Sequence, residues 1–171
     1  MGGGNSNLTY FTLKGKRRFL VNTDLFHPYL VSSRNNKYSD DCVLCDLRFL
    51  PIKNKAFDVS ICLHVLEHLE KEKGACLPKE LEMISCRQVI LSTPVGFSEL
   101  HEYDGNPYQK HKSSWTPKEL RSMGFKVKGS CGLRYIRGER ASPVLRSKLI
   151  GEAINFLATY LTQFFSLRIL I

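Results

Sequence analysis

Short apolar runs, each with a polar residue at or next to its end and with helix-length segments between them, constrain the fold of this chain most strongly. Such runs occupy residues 18–24, 41–46, 57–63 and 88–94. Strands that alternate with helices predict a parallel or mostly parallel sheet covered by helices on both faces. The chain has 171 residues, of which 43% are hydrophobic, which is enough for one such core. We therefore predict an α/β domain.

Two helices are predicted within this alternation. The first begins near Pro28, because proline is favoured in the first turn of a helix. The second covers residues 65–85, where leucines recur at helical spacing. We expect an interruption of this second helix near Gly74 and a fresh helix start at Pro78.

The segment after the fourth strand differs in composition. Residues 96–114 are polar and have no periodicity, which is typical of a long functional loop. Thr116-Pro-Lys-Glu then predicts a helix start, and this helix is expected to stop at Gly124. Residues 125–131 and 133–137 predict a late antiparallel pair of strands at the edge of the sheet.

We divide the chain into a domain of residues 1–140 and a tail of residues 141–171. The tail is a basic linker followed by a predicted amphipathic helix at residues 149–171, in which 15 of 23 residues are apolar. Its apolar stretch is shorter than the about 20 residues needed to span a bilayer. Docking of this helix on the core or in a homo-oligomer is the preferred interpretation, and peripheral membrane contact is the alternative.

The net charge and the cysteines bear on partners and compartment. A formal charge of +9 favours an anionic partner, but no aromatic-rich basic motif is visible, so nucleic acid is not the expected one. Cys42-x-x-Cys45 lies in a strand whose alternation directs the two sulfurs to opposite faces. Without a second cysteine pair at zinc spacing, we expect reduced thiols and a cytoplasmic protein.

The stretch from Cys45 to Leu69 carries the most specific pattern: an acid after a strand, Leu-Pro, a turn, Phe-Asp-Val, a strand and Leu-Glu-His. It resembles the class I S-adenosylmethionine-dependent methyltransferases, in particular their type 11 group. Residues 90–96 and 115–120 match this family in order and spacing. The resemblance covers residues 2–137 and implies a Rossmann-like sheet, S-adenosylmethionine as cofactor and methyl transfer.

The resemblance places cofactor contacts at two strand ends. Asp24 would accept hydrogen bonds from the ribose hydroxyls, with a turn aspartate as the alternative role. Asp46 would accept from the adenine amino group while Leu47 covers the ring, although an N-cap or turn role is open too. Leu25 and Phe26 would form an apolar wall, and for Phe26 a place in the core is the alternative.

The glycine-rich loop of the family is incomplete in this chain. Gly2 and Gly4 match its first two glycines, whereas Ser6 replaces the third and the preceding strand is missing. We expect a chain truncated at its N-terminus, with impaired activity and a tendency to be insoluble or oligomeric. A degraded remnant and replacement of the strand by residues 8–13 are the alternatives.

Three histidines are candidates for the site. By the resemblance, His64 borders the methyl donor and His68 packs structurally, whereas His111 is a candidate general base near the acceptor. An exposed loop histidine is the alternative for His111. The order His-Val-Leu-Glu-His differs from that of zinc proteases and offers too few ligands, so no metal site is predicted.

The acceptor and the activity itself stay open at this point. The methyl acceptor is unidentified, and residues 99–107 are the expected acceptor loop. A non-catalytic binding or scaffold protein of the same fold is the alternative function.

Overall fold

Four strands and two helices make up the described part of the first of two units, Met1–Thr116 and Pro117–Ile171. The computed structural model describes Gly2, Gly4, Tyr10, Gly15 and residues 19–96 and 105–129. In chain order, the elements of the first unit are β1 (Val21–Asp24), α1 (His27–Asn35), β2 (Asp41–Leu44), β3 (Phe57–Leu63), a 3₁₀ turn (Leu66–His68), α2 (Lys71–Ile84), β4 (Ser85–Ser92) and a second 3₁₀ turn (Pro107–Gln109).

All strand pairing among these four strands is parallel, as predicted. β1 pairs with β2, with Val21 opposite Asp41 and Asp24 opposite Leu44. β3 pairs with β4, with Leu63 opposite Ser92. The described strands thus form two separate two-stranded sheets. Because the pairing is parallel, the carboxyl ends of β1 and β2 lie side by side, as do those of β3 and β4.

The helical segment after β3 differs from its prediction. α2 runs without a break through Gly74 and Pro78, so the expected interruption and the fresh start at Pro78 are both wrong. Its helical part also begins only at Lys71, after the 3₁₀ turn Leu66–His68. Tertiary packing outweighs the local helix-breaking tendency here, since Leu77 and Pro78 are buried on the inner face of α2.

Gly74 lies in α2 at a position where the Trp115 ring approaches the helix backbone closely. A Cβ atom at this position would lie 2.6 Å from Cζ2 of the Trp115 ring, well inside van der Waals contact. The indole ring is 1% exposed. The glycine therefore makes room for an aromatic side chain on the helix surface, which is a packing role that a local pattern does not reveal.

The core of the first unit lies between α2 and the β3–β4 sheet. Leu66, Leu77 and Leu81 are all at most 2% exposed, and Trp115 packs with them. α1 packs in the same way on β1 and β2, through the buried Tyr29 and Leu30.

The five described cysteines are free thiols. Cys45 and Cys62 are buried, whereas Cys76 and Cys86 are exposed. Burial raises the pKa of the Cys62 thiol to about 11. The Cys42 sulfur lies 3.2 Å from the Ser39 hydroxyl and 3.6 Å from the Leu30 carbonyl oxygen.

The second unit is described from Pro117 to Gly129. Its helix α3 (Pro117–Ser122) begins at the predicted proline and ends just before Gly124. No strand is assigned to residues 125–129. The rest of the predicted late strand pair, together with the amphipathic helix at 149–171, lies outside the described residues. Among the residues described, no helix has the length and the apolar content needed to cross a membrane.

Truncation of Leu81 tests where the core lies. Leu81→Ala removes a fully buried side chain, so it is expected to lower the free energy of unfolding by about 2–5 kcal/mol. Met83→Ala on the same helix is the control, because Met83 is 37% exposed. Urea denaturation measures both variants. Equal losses for the two would contradict this assignment of the core.

Candidate functional site

A cavity of about 200 Å³ lies where β1, β2 and β3 end. The polar residues at or just after the ends of these strands line it: Asp24, Asp46 and His64. This is the position at which open α/β sheets bind their ligands. Leu25 and Leu47 supply apolar surface, and Asn106, Tyr108 and Lys112 supply the wall from the second half of the unit.

Asp24 holds the glycine segment against the end of β1. Its Oδ2 accepts a hydrogen bond from the Gly4 amide at 3.0 Å, and its Oδ1 accepts from the Phe26 amide at 2.8 Å. The Gly2 amide donates to the Thr23 carbonyl at 2.8 Å. Asp24 is only 9% exposed, so these amides compensate the burial of its carboxylate.

Glycine is needed at position 2 for two reasons. Its φ of +58° lies in the left-handed region. A Cβ atom there would also lie 2.1 Å from Cγ2 of Val65, the residue that follows His64. The Gly2 backbone therefore packs against both the end of β1 and the segment after β3, and this leaves no space for a side chain.

Asp46 is paired with Arg48. The Arg48 Nε lies 2.9 Å from each carboxylate oxygen, its Nη2 forms an ion pair with Oδ2, and its backbone amide donates to Oδ1 at 2.9 Å. The side-chain hydrogen bonds from Arg48 hold the pKa of Asp46 below its usual value. Asp46 is therefore an ionised acceptor that shares its oxygens with a guanidinium.

His64 has an unusual backbone at the end of β3. Its φ is +54° although it is not glycine, and its amide donates to the Ser92 carbonyl at 2.8 Å. Its Nδ1 lies 3.3 Å from Oε1 of Glu67. Such backbone strain is concentrated at functional sites, which agrees with the place of His64 in the cavity wall.

Glu67 is a buried carboxylate beside two imidazoles. It is 3% exposed, and its Oε2 accepts a hydrogen bond from the Thr93 hydroxyl at 3.0 Å. The ligand atoms of Glu67, His68 and His111 all lie within 4.8 Å of one another. The rings of His68 and His111 have centroids 5.0 Å apart.

The electrostatics of these groups follow from burial and hydrogen bonding. Burial alone would raise the pKa of Glu67, but the hydrogen bond with His64 and the nearby histidine charges leave that pKa lowered. The same hydrogen bond raises the pKa of His64. Burial lowers the pKa of His68, which favours its neutral form.

The loop that carries His111 is fastened to the turn after β3. The Lys112 and Ser113 amides both donate to the Glu67 carbonyl, at 2.8 and 3.1 Å. The Ser113 hydroxyl and the Trp115 indole N–H donate to the Leu66 carbonyl, at 3.1 and 3.3 Å. These bonds hold residues 110–115 next to the cavity, although in sequence these residues are far from the strand ends that line it.

The structure places most of the predicted site residues around the cavity. The predicted lining residues are Gly2, Gly4, Asp24, Leu25, Asp46, Leu47 and His64. Phe26 is not among its lining residues, because its ring packs against Tyr29 at 4.9 Å in a T-shaped arrangement. His111 lies beside His68 rather than in the lining. Residues 99–104 of the expected acceptor loop lie outside the described part of the chain.

Other residues at the site were missed by the sequence analysis. Asn106 is 3% exposed, and its side chain accepts a hydrogen bond from the Tyr108 amide at 2.9 Å. The Asn106-Pro107 pair is a turn signal in the sequence. It was the one local pattern that indicated an ordered loop at this position. Glu67 showed no signal of its own, because its burial beside histidines depends on tertiary packing.

The methyltransferase domain family model matches residues 1–79. This match confirms the resemblance to the methyltransferases over these residues, which are just under half of the chain. The matched stretch contains the cavity residues from Gly2 to Lys73, while Asn106, Tyr108 and Lys112 follow it.

Two further comparisons were made with known proteins. No curated protein matches this chain significantly. Among solved structures, the PH0226 protein from Pyrococcus horikoshii OT3 matches 49% of this chain at 20% sequence identity, with a TM-score of 0.44. The match spans 41% of that protein's own length.

The Asp46–Arg48 pair predicts a pH dependence. The pKa of Asp46 is lower in the folded chain than in the unfolded chain. The pair therefore stabilises the fold above the unfolded pKa of Asp46, about 3.9, and this contribution is lost as the pH falls through its folded pKa. Arg48→Ala is expected to raise the pKa of Asp46 toward its ordinary value, as followed by NMR of the carboxyl carbon. Arg87→Ala is the control, since Arg87 lies beside Asp58 instead. An unchanged Asp46 titration in Arg48→Ala would refute the pairing.

Proposed function

We propose that this chain binds S-adenosylmethionine in the cavity at the strand ends and transfers its methyl group to an acceptor. The observation that carries the proposal is the buried Asp24 carboxylate, which lines the cavity and is bonded to the Gly4 amide. The methyltransferase match over residues 1–79 supports the same interpretation.

The residues present fit such a nucleoside cofactor. Each Asp24 oxygen accepts one backbone hydrogen bond and has further lone-pair capacity, which suits a pair of ribose hydroxyls. Leu47 is buried at the cavity and offers an apolar surface for an aromatic ring. The Gly2 backbone also lines the cavity, and it is held there against Val65, where a side chain would collide.

Asp46 has a more restricted role in this proposal. Its oxygens already accept hydrogen bonds from Arg48, so an adenine amino group would share them with the guanidinium. A carboxylate has about four acceptor positions, which permits this sharing. Arg48 also lines the cavity and keeps the carboxylate in one orientation.

The bound cofactor supplies an electrophilic methyl group, and the chain contributes mainly by holding the acceptor in line with it. His64 and His68 line the same cavity as Asp24, Asp46 and the loop residues Asn106, Tyr108 and Lys112. Tyr108 and Lys112 provide polar contacts for the acceptor from this loop. A base role for His111 stays a prediction.

A non-catalytic binding protein of the same fold is the second candidate. It is distinguished from an enzyme by cofactor binding, because the cavity of a scaffold has no need to recognise a nucleoside.

Calorimetric titration with S-adenosylhomocysteine tests the cofactor site. The folded wild-type chain is expected to bind, and Asp24→Ala is expected to weaken binding about tenfold or more, since it removes a charged hydrogen-bond acceptor. Asp41→Ala is the matched control, because Asp41 is an exposed aspartate at the opposite end of β2.

The outcomes separate the two candidates. Circular dichroism first shows that each variant is folded. No heat from the folded wild-type chain, or equal affinities for Asp24→Ala and Asp41→Ala, would exclude the proposed cofactor site and favour the scaffold.

A further inference from the structure

We propose that Glu67, His68 and His111 form a binding site for a divalent transition-metal ion of the Zn²⁺ type. The three side chains offer one carboxylate oxygen and two imidazole nitrogens, all within 4.8 Å of one another. This donor set of two histidines and one carboxylate is the one that binds catalytic zinc and related first-row metals.

The separation of the donors is close to what a metal ion requires. Ligands of one tetrahedral zinc ion at about 2.0–2.1 Å lie roughly 3.3 Å from one another. To bind one ion, the donor atoms would have to move closer to one another by about 1.5 Å at most, which is within the range of side-chain rotations.

The cluster is held in place by bonds to its neighbours. The Thr93 hydroxyl donates to Oε2 of Glu67, and His64 lies at Oε1. The loop with His111 is fastened on its C-terminal side, where the Lys112 and Ser113 amides donate to the Glu67 carbonyl. Fixed supporting contacts of this kind are what a metal site needs from its surroundings.

The hydrogen bonding of His68 leaves its second ring nitrogen available to a metal. Its Nδ1 lies 3.3 Å from the Lys110 carbonyl oxygen, and a carbonyl can only accept a hydrogen bond, so Nδ1 carries the proton. The lone pair of the neutral ring is then on Nε2. This is the usual arrangement of a metal-binding histidine, whose other ring N–H donates to a carbonyl or carboxylate.

Burial of Glu67 also favours a cation. The carboxylate is 3% exposed, and within residues 19–96 and 105–129 no lysine or arginine forms an ion pair with it. His64 is its one ionisable partner in a salt bridge there. A buried carboxylate is stabilised by a metal ion that it coordinates, and two imidazoles in the set disfavour Mg²⁺ and Ca²⁺, which prefer oxygen ligands.

Metal titration of the full chain tests this site. The background is Cys76→Ser/Cys86→Ser, because these two thiols are exposed and would compete for Zn²⁺. Calorimetry with Zn²⁺ is expected to show one site. His111→Ala is expected to weaken it at least about tenfold, since loss of a mere supporting contact already costs that much.

Matched controls make the result specific. His27→Ala removes an exposed histidine outside the cluster and should leave Zn²⁺ affinity unchanged. Glu67→Gln keeps the size of the side chain and should also weaken binding. If His111→Ala proves unfolded by circular dichroism, His111→Gln replaces it with the same expectation.

Cobalt serves as a spectroscopic probe of the donors. Co²⁺ should give visible d–d bands without the charge-transfer band of a cysteine thiolate, and excess Mg²⁺ should not displace it. The proposal is wrong if the folded chain binds no Zn²⁺, if His111→Ala binds it like the background chain, or if a thiolate band appears. Displacement by Mg²⁺ at similar concentrations overturns the assignment to a transition metal.

Discussion

The carbonyl groups of the turn after β3 organise the rest of the site. Leu66 and Glu67 turn their carbonyl oxygens toward the loop, where the amides of Lys112 and Ser113 and the side chains of Ser113 and Trp115 donate to them. Buried carbonyls without partners would cost about 1–3 kcal/mol each. The loop therefore has to return to this turn, and its return forms one wall of the cavity.

The same attachment couples the core to the site. Trp115 ends the loop, packs at Gly74 on α2 and donates to Leu66. A single aromatic residue thus joins the helix, the turn and the loop. The part of the cavity at the end of β1 has an independent anchor, since the Asp24 carboxylate accepts a hydrogen bond from the Gly4 amide.

Local patterns predicted a large part of the fold and the polar residues at the strand ends. Strand β3 was predicted with its observed bounds, and Asp24 and Asp46 follow strands at the expected edge. Helix α2 was predicted with a false break near Gly74 and a false start at Pro78, because glycine and proline disfavour a helix interior by local rules, whereas both residues are buried in the packed helix. Phe26 was ambiguous in sequence, and only its packing on Tyr29 decides its place.

The sequence by itself determined the order of strands and helices and the polar residues at the strand ends, because periodicity and turn chemistry are properties of neighbouring residues. Only the tertiary structure decided which of these polar groups meet. Glu67 and His68 lie beside His111 because hydrogen bonds fasten the loop to the turn. Such contacts between distant segments depend on how the whole unit packs, and no short stretch of sequence specifies them.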